Sequence, residues 1–104
     1  MTNDTTQYRP LIGEIALVTG ASRGIGAAIA DLLASQGATV IGTATSDSGA
    51  QAIGERLAPL GGHGRKLDVV DGAAVEALID GIAGEFGPVS ILVNNAGITR
   101  DNLL

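Results

Sequence analysis

The sequence predicts an α/β fold: a parallel sheet with helices on both faces, in the order β-α-β-α-β-α-β. Three observations predict it. Short aliphatic runs bounded by glycine or proline suit strands buried on both faces. Between them, apolar residues fall three and four apart, the helical period. The alternation recurs along the chain without a repeated sequence.

The first strand is Ile15–Thr19, between Gly13 and Gly20. From Gly24 the period changes. Ile25, Ile29, Leu32 and Leu33 mark the buried face of a helix that Gly37 ends. Residues 38–43 form the second strand. Ser48 with Gln51 reads as a capping box, and Ile53 and Leu57 give the stripe of a second helix. Pro59 ends that helix near Ala58. Residues 64–69 are a weaker third strand. Asp71 caps a third helix that buries Val75, Leu78, Ile79, Ile82 and Phe86, and Gly87-Pro88 stops it. Residues 89–93 are the fourth strand. Right-handed crossovers give a parallel sheet with helices on both faces, half of a doubly wound fold plus one strand, whose expected order 3-2-1-4 leaves the fourth strand an aliphatic edge. Residues 1–10 are polar and end in proline, so a flexible N-terminal extension is expected there, with the domain in 11–104.

Composition narrows the function classes. A chain of 104 residues suits one domain. Tyr8 and Phe86 are its only aromatics, so the core must be aliphatic. With no cysteine and a single histidine, His63, disulfides and zinc sites built on sulfur or nitrogen are excluded. His63, set among Gly61, Gly62 and Gly64, reads as a solvated loop residue. A net charge of -5 argues against a nucleic-acid partner. No apolar run approaches the ~18–20 residues of a membrane helix. Residues 1–10 lack the apolar segment of a secretory signal, so the expected location is cytoplasmic.

Residues 19–26 read Thr-Gly-Ala-Ser-Arg-Gly-Ile-Gly. Gly20 allows a sharp turn after the strand, and Gly24 and Gly26 remove side chains where the helix approaches both sheet and ligand. The helix then begins with free N–H groups and partial positive charge, a site for a pyrophosphate. At this glycine content the spacing alone arises by chance in roughly one chain in three, so its weight comes from the strand before it and the helix after it. NAD-binding folds place a carboxylate at the end of the second strand, to bond the ribose 2′-hydroxyl. Here Gly42-Thr43-Ala44-Thr45-Ser46 has none before Asp47. Ser22 and Arg23 in the turn instead offer hydroxyl and guanidinium donors for a 2′-phosphate, which favours NADP(H); the alternative readings are a solvated turn residue for Arg23 and a loop hydroxyl for Thr45. Asp68 has two readings, an acceptor for an adenine amino group beside Val69 or a polar residue leading into a turn. Asn94 and Asn95 divide similarly between a cofactor ribose and neighbouring backbone groups, and Gly97 leaves backbone space on the nicotinamide side.

Together, T-G-A-S-R-G-I-G at 19–26, Asp68-Val69 and N-N-A-G at 94–97 resemble the short-chain dehydrogenase/reductase family. Residues 40–46 and 94–104 more narrowly resemble its 3-oxoacyl-(acyl-carrier-protein) reductases of bacterial fatty-acid synthesis. The resemblance covers residues 12–104. It implies a Rossmann fold, NADPH as hydride donor, an acyl-carrier-protein thioester as substrate and a homotetramer. It assigns cofactor contacts to Gly20, Ser22, Arg23, Gly24, Ile25, Gly26, Thr45, Asp68, Val69, Asn95, Ala96 and Gly97. The family's catalytic serine, Tyr-x-x-x-Lys pair and helical asparagine have no counterpart in residues 1–104. Tyr8 precedes the first strand and is followed four positions on by Ile12, and Asn102 belongs to the T-R-D-N-L-L stretch. No catalytic residue is therefore assigned. The chain is expected to be the amino-terminal part of such an enzyme and inactive alone. Two readings of other classes stand beside this one: a stand-alone nucleotide-binding module, and a non-functional remnant.

Overall fold

The computed structural model describes residues 9–96. The expected extension falls almost wholly outside that range, as do Gly97 and residues 98–104. The described chain is a Rossmann-like α/β unit with strands β1 (Ile15–Thr19), β2 (Thr39–Ala44), β3 (His63–Lys66) and β4 (Ile91–Asn94). Helices α1 (Gly24–Ser35), α2 (Asp47–Leu57) and α3 (Gly72–Glu85) connect them. All strand pairs are parallel and the order is β3-β2-β1-β4, the order expected from the sequence.

Strand alternation divides the core into two layers. Ala16, Val18, Val40 and Ala44 face α1 and α2, packing with Ala30, Ala34, Ile53 and Leu57. Ile15, Leu17 and Ile41 face α3, where they meet Ile82 with Leu78, Ile79 and Phe86 beside it. The third helix therefore turns inward the face its spacing predicts, with Ile82 buried and Val75, Leu78, Ile79 and Phe86 half-buried. Its cap is also as predicted: Asp71 accepts from the N–H of Ala74 at 3.1 Å.

The first helix differs. Its buried residues are Gly26, Ala30 and Ala34, while Ile25 is 72% exposed and Leu32 57%. Leu33 packs only partly against the core. The reason is distance. The glycine turn draws the start of α1 close against the end of β1, and only small residues, four apart, fit between helix and sheet.

The second helix starts earlier than the Ser48–Gln51 pattern predicts. Ser46 is its cap, with Oγ accepting from the N–H of Gly49 at 3.0 Å. Gln51 does not reach back but donates from Nε2 to Glu55 Oε2 at 3.2 Å. Ile53 and Leu57 are buried as expected, and a 3-10 turn over Ala58–Leu60 carries Pro59 past the helix end.

The boundaries of three strands shift. β2 begins one residue later than predicted and includes Ala44. β3 starts at His63, because that residue pairs with Ile41, and ends before Leu67. His63 is therefore a half-buried strand residue, its ring 4.6 Å from that of Phe86, and not a solvated loop residue. β4 begins at Ile91 because the Ser90 hydroxyl takes the preceding ladder position, accepting from the N–H of Ile15 at 3.0 Å. β4 lies at one edge of the sheet, with Leu92 61% exposed.

Two substitutions separate core from surface. Leu57→Ala should cost about 2–5 kcal/mol in urea unfolding. Leu32→Gln, on the face that spacing alone marks as buried, should change stability by about 0.5 kcal/mol or less.

Candidate functional site

The carboxyl ends of the parallel strands share one edge of the sheet, and the glycine turn lies there. Gly20 has φ +63° and Gly24 φ +66°, a region that L side chains rarely adopt. At Gly26 the constraint is contact. A Cβ there would overlap the carbonyl oxygen of Gly20 and lie 2.7 Å from Asn95 Nδ2.

The turn is held from β4. Asn95 Nδ2 donates to the Gly20 carbonyl at 3.1 Å. The backbone N–H of Ala96 donates to Thr19 Oγ1 at 3.0 Å. That hydroxyl, 4% exposed as a residue, lies 3.2 Å from Asn94 Oδ1 and 3.4 Å from the Val93 carbonyl, so its single proton serves one or the other. Of the two predicted duties of this asparagine pair, bonding to neighbouring backbone thus falls to Asn95. Thr19 was given no role by sequence. Its signal is a polar residue at the end of an otherwise aliphatic, fully buried strand.

The part of this edge suited to an anion is the start of α1. Arg23 provides no side-chain cap and the first turn contains no acidic residue. By contrast, α2 and α3 are capped by Ser46 and Asp71, and α2 carries Asp47 in its first turn. The first N–H groups of α1 thus lack the side-chain acceptor that satisfies the other two helices. A Cβ built on Gly24 would meet no heavy atom of another segment within 4 Å, so that side of the turn is open. Ser22, Arg23 and Ile25 are exposed around this opening. Ser22 also overhangs the start of α2, with its Cβ 3.9 Å from where a Cβ on Gly49 would stand. Thr45 is exposed in the same segment, directly after β2.

Asp68 and Val69 follow β3 at the same sheet edge. Asp68 Oδ1 accepts from the N–H of Val70 at 3.1 Å, so one carboxylate oxygen serves its own turn. Val69 lines a cavity of about 130 Å³ with Leu17, Thr19, Leu92 and Asn94. A larger open groove, about 570 Å³, runs along α2 and β3 past Gly54, Gly64 and Arg65. It contains none of the predicted site residues, and the uncapped start of α1 lies elsewhere. Size therefore does not locate this site. Gly97 lies outside the described residues.

The residues present suit a dinucleotide: a close-approach backbone, an uncapped helix start and flanking hydroxyl and guanidinium groups. Comparison with known proteins agrees in kind. Residues 14–104 match the family described as short chain dehydrogenase. The chain is 64% identical over 92 residues to a 3-oxoacyl-(acyl-carrier-protein) reductase of Escherichia coli strain K12, covering 88% of this chain and 37% of that protein. It is 64% identical over 94 residues to the protein of that name from Vibrio cholerae, covering 90% and 38%. The corresponding figures for the Pseudomonas aeruginosa protein are 57% over 96 residues, 90% and 39%. The chain thus spans less than two fifths of the length of these curated relatives.

Asn95→Ala should leave the Gly20 carbonyl without its partner and cost about 1–3 kcal/mol in urea unfolding. Gly26→Ala should be worse, because the overlapping neighbour is backbone and cannot rotate away. Its thermal transition should be lowered or lost relative to Gly81→Ala, where nothing stands within 4 Å of the added methyl.

Proposed function

Because the chain belongs to the short-chain dehydrogenase family, we propose that it forms the cofactor-holding part of an NADP(H)-dependent reductase of 3-oxoacyl-acyl-carrier-protein thioesters. The supporting observation is the uncapped start of α1, set behind a glycine turn that Asn95 clamps. The likeness to the curated reductases supports the substrate class. No helix among the described residues is long and apolar enough to cross a membrane. A cytoplasmic location and a homotetrameric parent enzyme complete the reading.

In this reading the N–H groups of Gly24, Ile25 and Gly26 hold the pyrophosphate, with Gly20 giving the turn its shape. Ser22, Arg23 and Thr45 hold the 2′-phosphate, Arg23 by charge and the hydroxyls by hydrogen bonds. Asp68 offers its second carboxylate oxygen to the adenine amino group, and Val69 packs beside the ring. Asn95, its Nδ2 already engaged by Gly20, and Ala96 line the ribose and nicotinamide side, to which the family resemblance adds Gly97. Bound NADPH would supply the hydride that converts a 3-oxoacyl to a 3-hydroxyacyl thioester. The carbonyl oxygen must also receive a proton, and a positioned acid contributes about 10²–10⁴-fold to such a step. Tyr8 and Lys66 are the only tyrosine and lysine in the sequence, and neither belongs to a Tyr-x-x-x-Lys pair. The 104-residue chain alone is therefore a binding unit without reductase activity.

By titration calorimetry the chain should bind NADPH about tenfold or more tightly than NADH, and Arg23→Ala should remove most of that difference, the loss expected for one charge-assisted contact. Equal affinities would overturn the NADP(H) assignment. Purified chain should not oxidise NADPH in the presence of an acetoacetyl thioester above the buffer rate. Turnover would show that a proton donor has been missed.

A further inference from the structure

Arg56 belongs to none of the glycine, second-strand or fourth-strand motifs. It lies in the last turn of α2. Its Nε donates to Asp31 Oδ1 on α1 at 3.0 Å, and its Nη2 donates to the carbonyl oxygen of Ala21 at 2.9 Å. Ala21 is fully buried, directly after Gly20, and its own N–H donates to the Thr43 carbonyl in β2 at 2.8 Å. Both peptide units flanking Ala21 are thus tied, one to the sheet and one to α2.

A peptide unit is planar and trans, so the carbonyl of Ala21 and the N–H of Ser22 point in opposite directions. Holding the carbonyl on Arg56 therefore sets the direction of the Ser22 N–H and the entry of the chain into Arg23 and Gly24. The Arg56–Asp31 pair is open to water, its side chains 31% and 51% exposed, and such a pair contributes little to stability by itself. Its geometric effect is larger. Asp31 orients the guanidinium, whose rigid fork then presents a second N–H to the turn.

We propose that Arg56 is a positioning residue for the phosphate-binding turn: it sets the backbone of Ser22–Arg23–Gly24, and through it the affinity for the dinucleotide, without touching the ligand. This rests on the cofactor reading above. It adds a residue that the motifs do not contain.

The test compares the unmodified chain with R56M, R56K and D31N, using NADPH titration and amide hydrogen exchange without ligand. R56M should weaken NADPH binding about tenfold and speed exchange at residues 22–24 by a similar factor, the scale of one lost hydrogen bond. Amides of β1 should keep their protection. R56K should behave like R56M, because a lysine is a point donor and lacks the fork that serves both partners. D31N should lose about threefold or less, since its amide oxygen still accepts from Nε. Unmodified affinity in R56K would reduce Arg56 to a source of charge, and exchange rising equally throughout β1 would reduce it to a structural residue. Either result overturns the proposal. If the unmodified chain does not bind NADPH, the cofactor reading falls and takes this proposal with it. If it binds and R56M binds equally well, only the role of Arg56 falls.

Discussion

The carbonyl oxygen of Gly20 is the point on which the rest of this structure depends. Three segments meet there: the end of β1, the first turn of α1 at Gly26, and Asn95 just beyond β4. Each limits the others. Asn95 holds the carbonyl, the carbonyl leaves no room for a Cβ at residue 26, and the missing Cβ lets α1 approach the sheet. Thr19 and Ala96 make a second tie across the same junction. The glycine turn is thus a packed joint between β1 and the edge strand β4.

The close approach propagates along α1. Once Gly26 is pressed against β1, Ala30 and Ala34 continue the contact, and the larger Ile25 and Leu32 are turned outward. The bulk of that layer comes instead from α2, through Ile53 and Leu57. On the opposite face α3 has no such restriction and packs aliphatic side chains of ordinary size. One side of the sheet is shaped by the glycine turn, the other by hydrophobic burial alone.

Arg56 and Asn95 hold adjacent carbonyls of the same turn from opposite directions, Ala21 from α2 and Gly20 from β4. The uncapped amides of α1 are therefore presented by a loop that is braced before any ligand arrives. Preorganisation of this kind lowers the ordering cost of binding. It also explains how a turn rich in glycine, with the conformational freedom that glycine brings, can keep one geometry.

Much of this was legible in sequence. β1, the cap of α3 and the glycine turn all follow from local patterns: aliphatic runs, an Asp before a helical period, and fixed glycine spacing; the strand order follows from the doubly wound fold that the β-α alternation implies. The cofactor candidates other than Gly97 fall within the described residues, in and around the turn or at the ends of β2, β3 and β4. Misreadings arose where two patterns competed locally. Ser46 and Ser48 both resemble caps, and only the helix geometry selects Ser46. His63 sits among glycines, yet pairing with Ile41 makes it a strand residue. What the sequence determined alone was the order of the elements and the chemistry gathered at the turn, because periodicity and turn preference are short-range. Tertiary structure decided which face of α1 is buried, that Asn95 bonds a carbonyl 75 positions away, and that Arg56 reaches Ala21. Those contacts depend on distances between elements, and no periodicity within one segment encodes them.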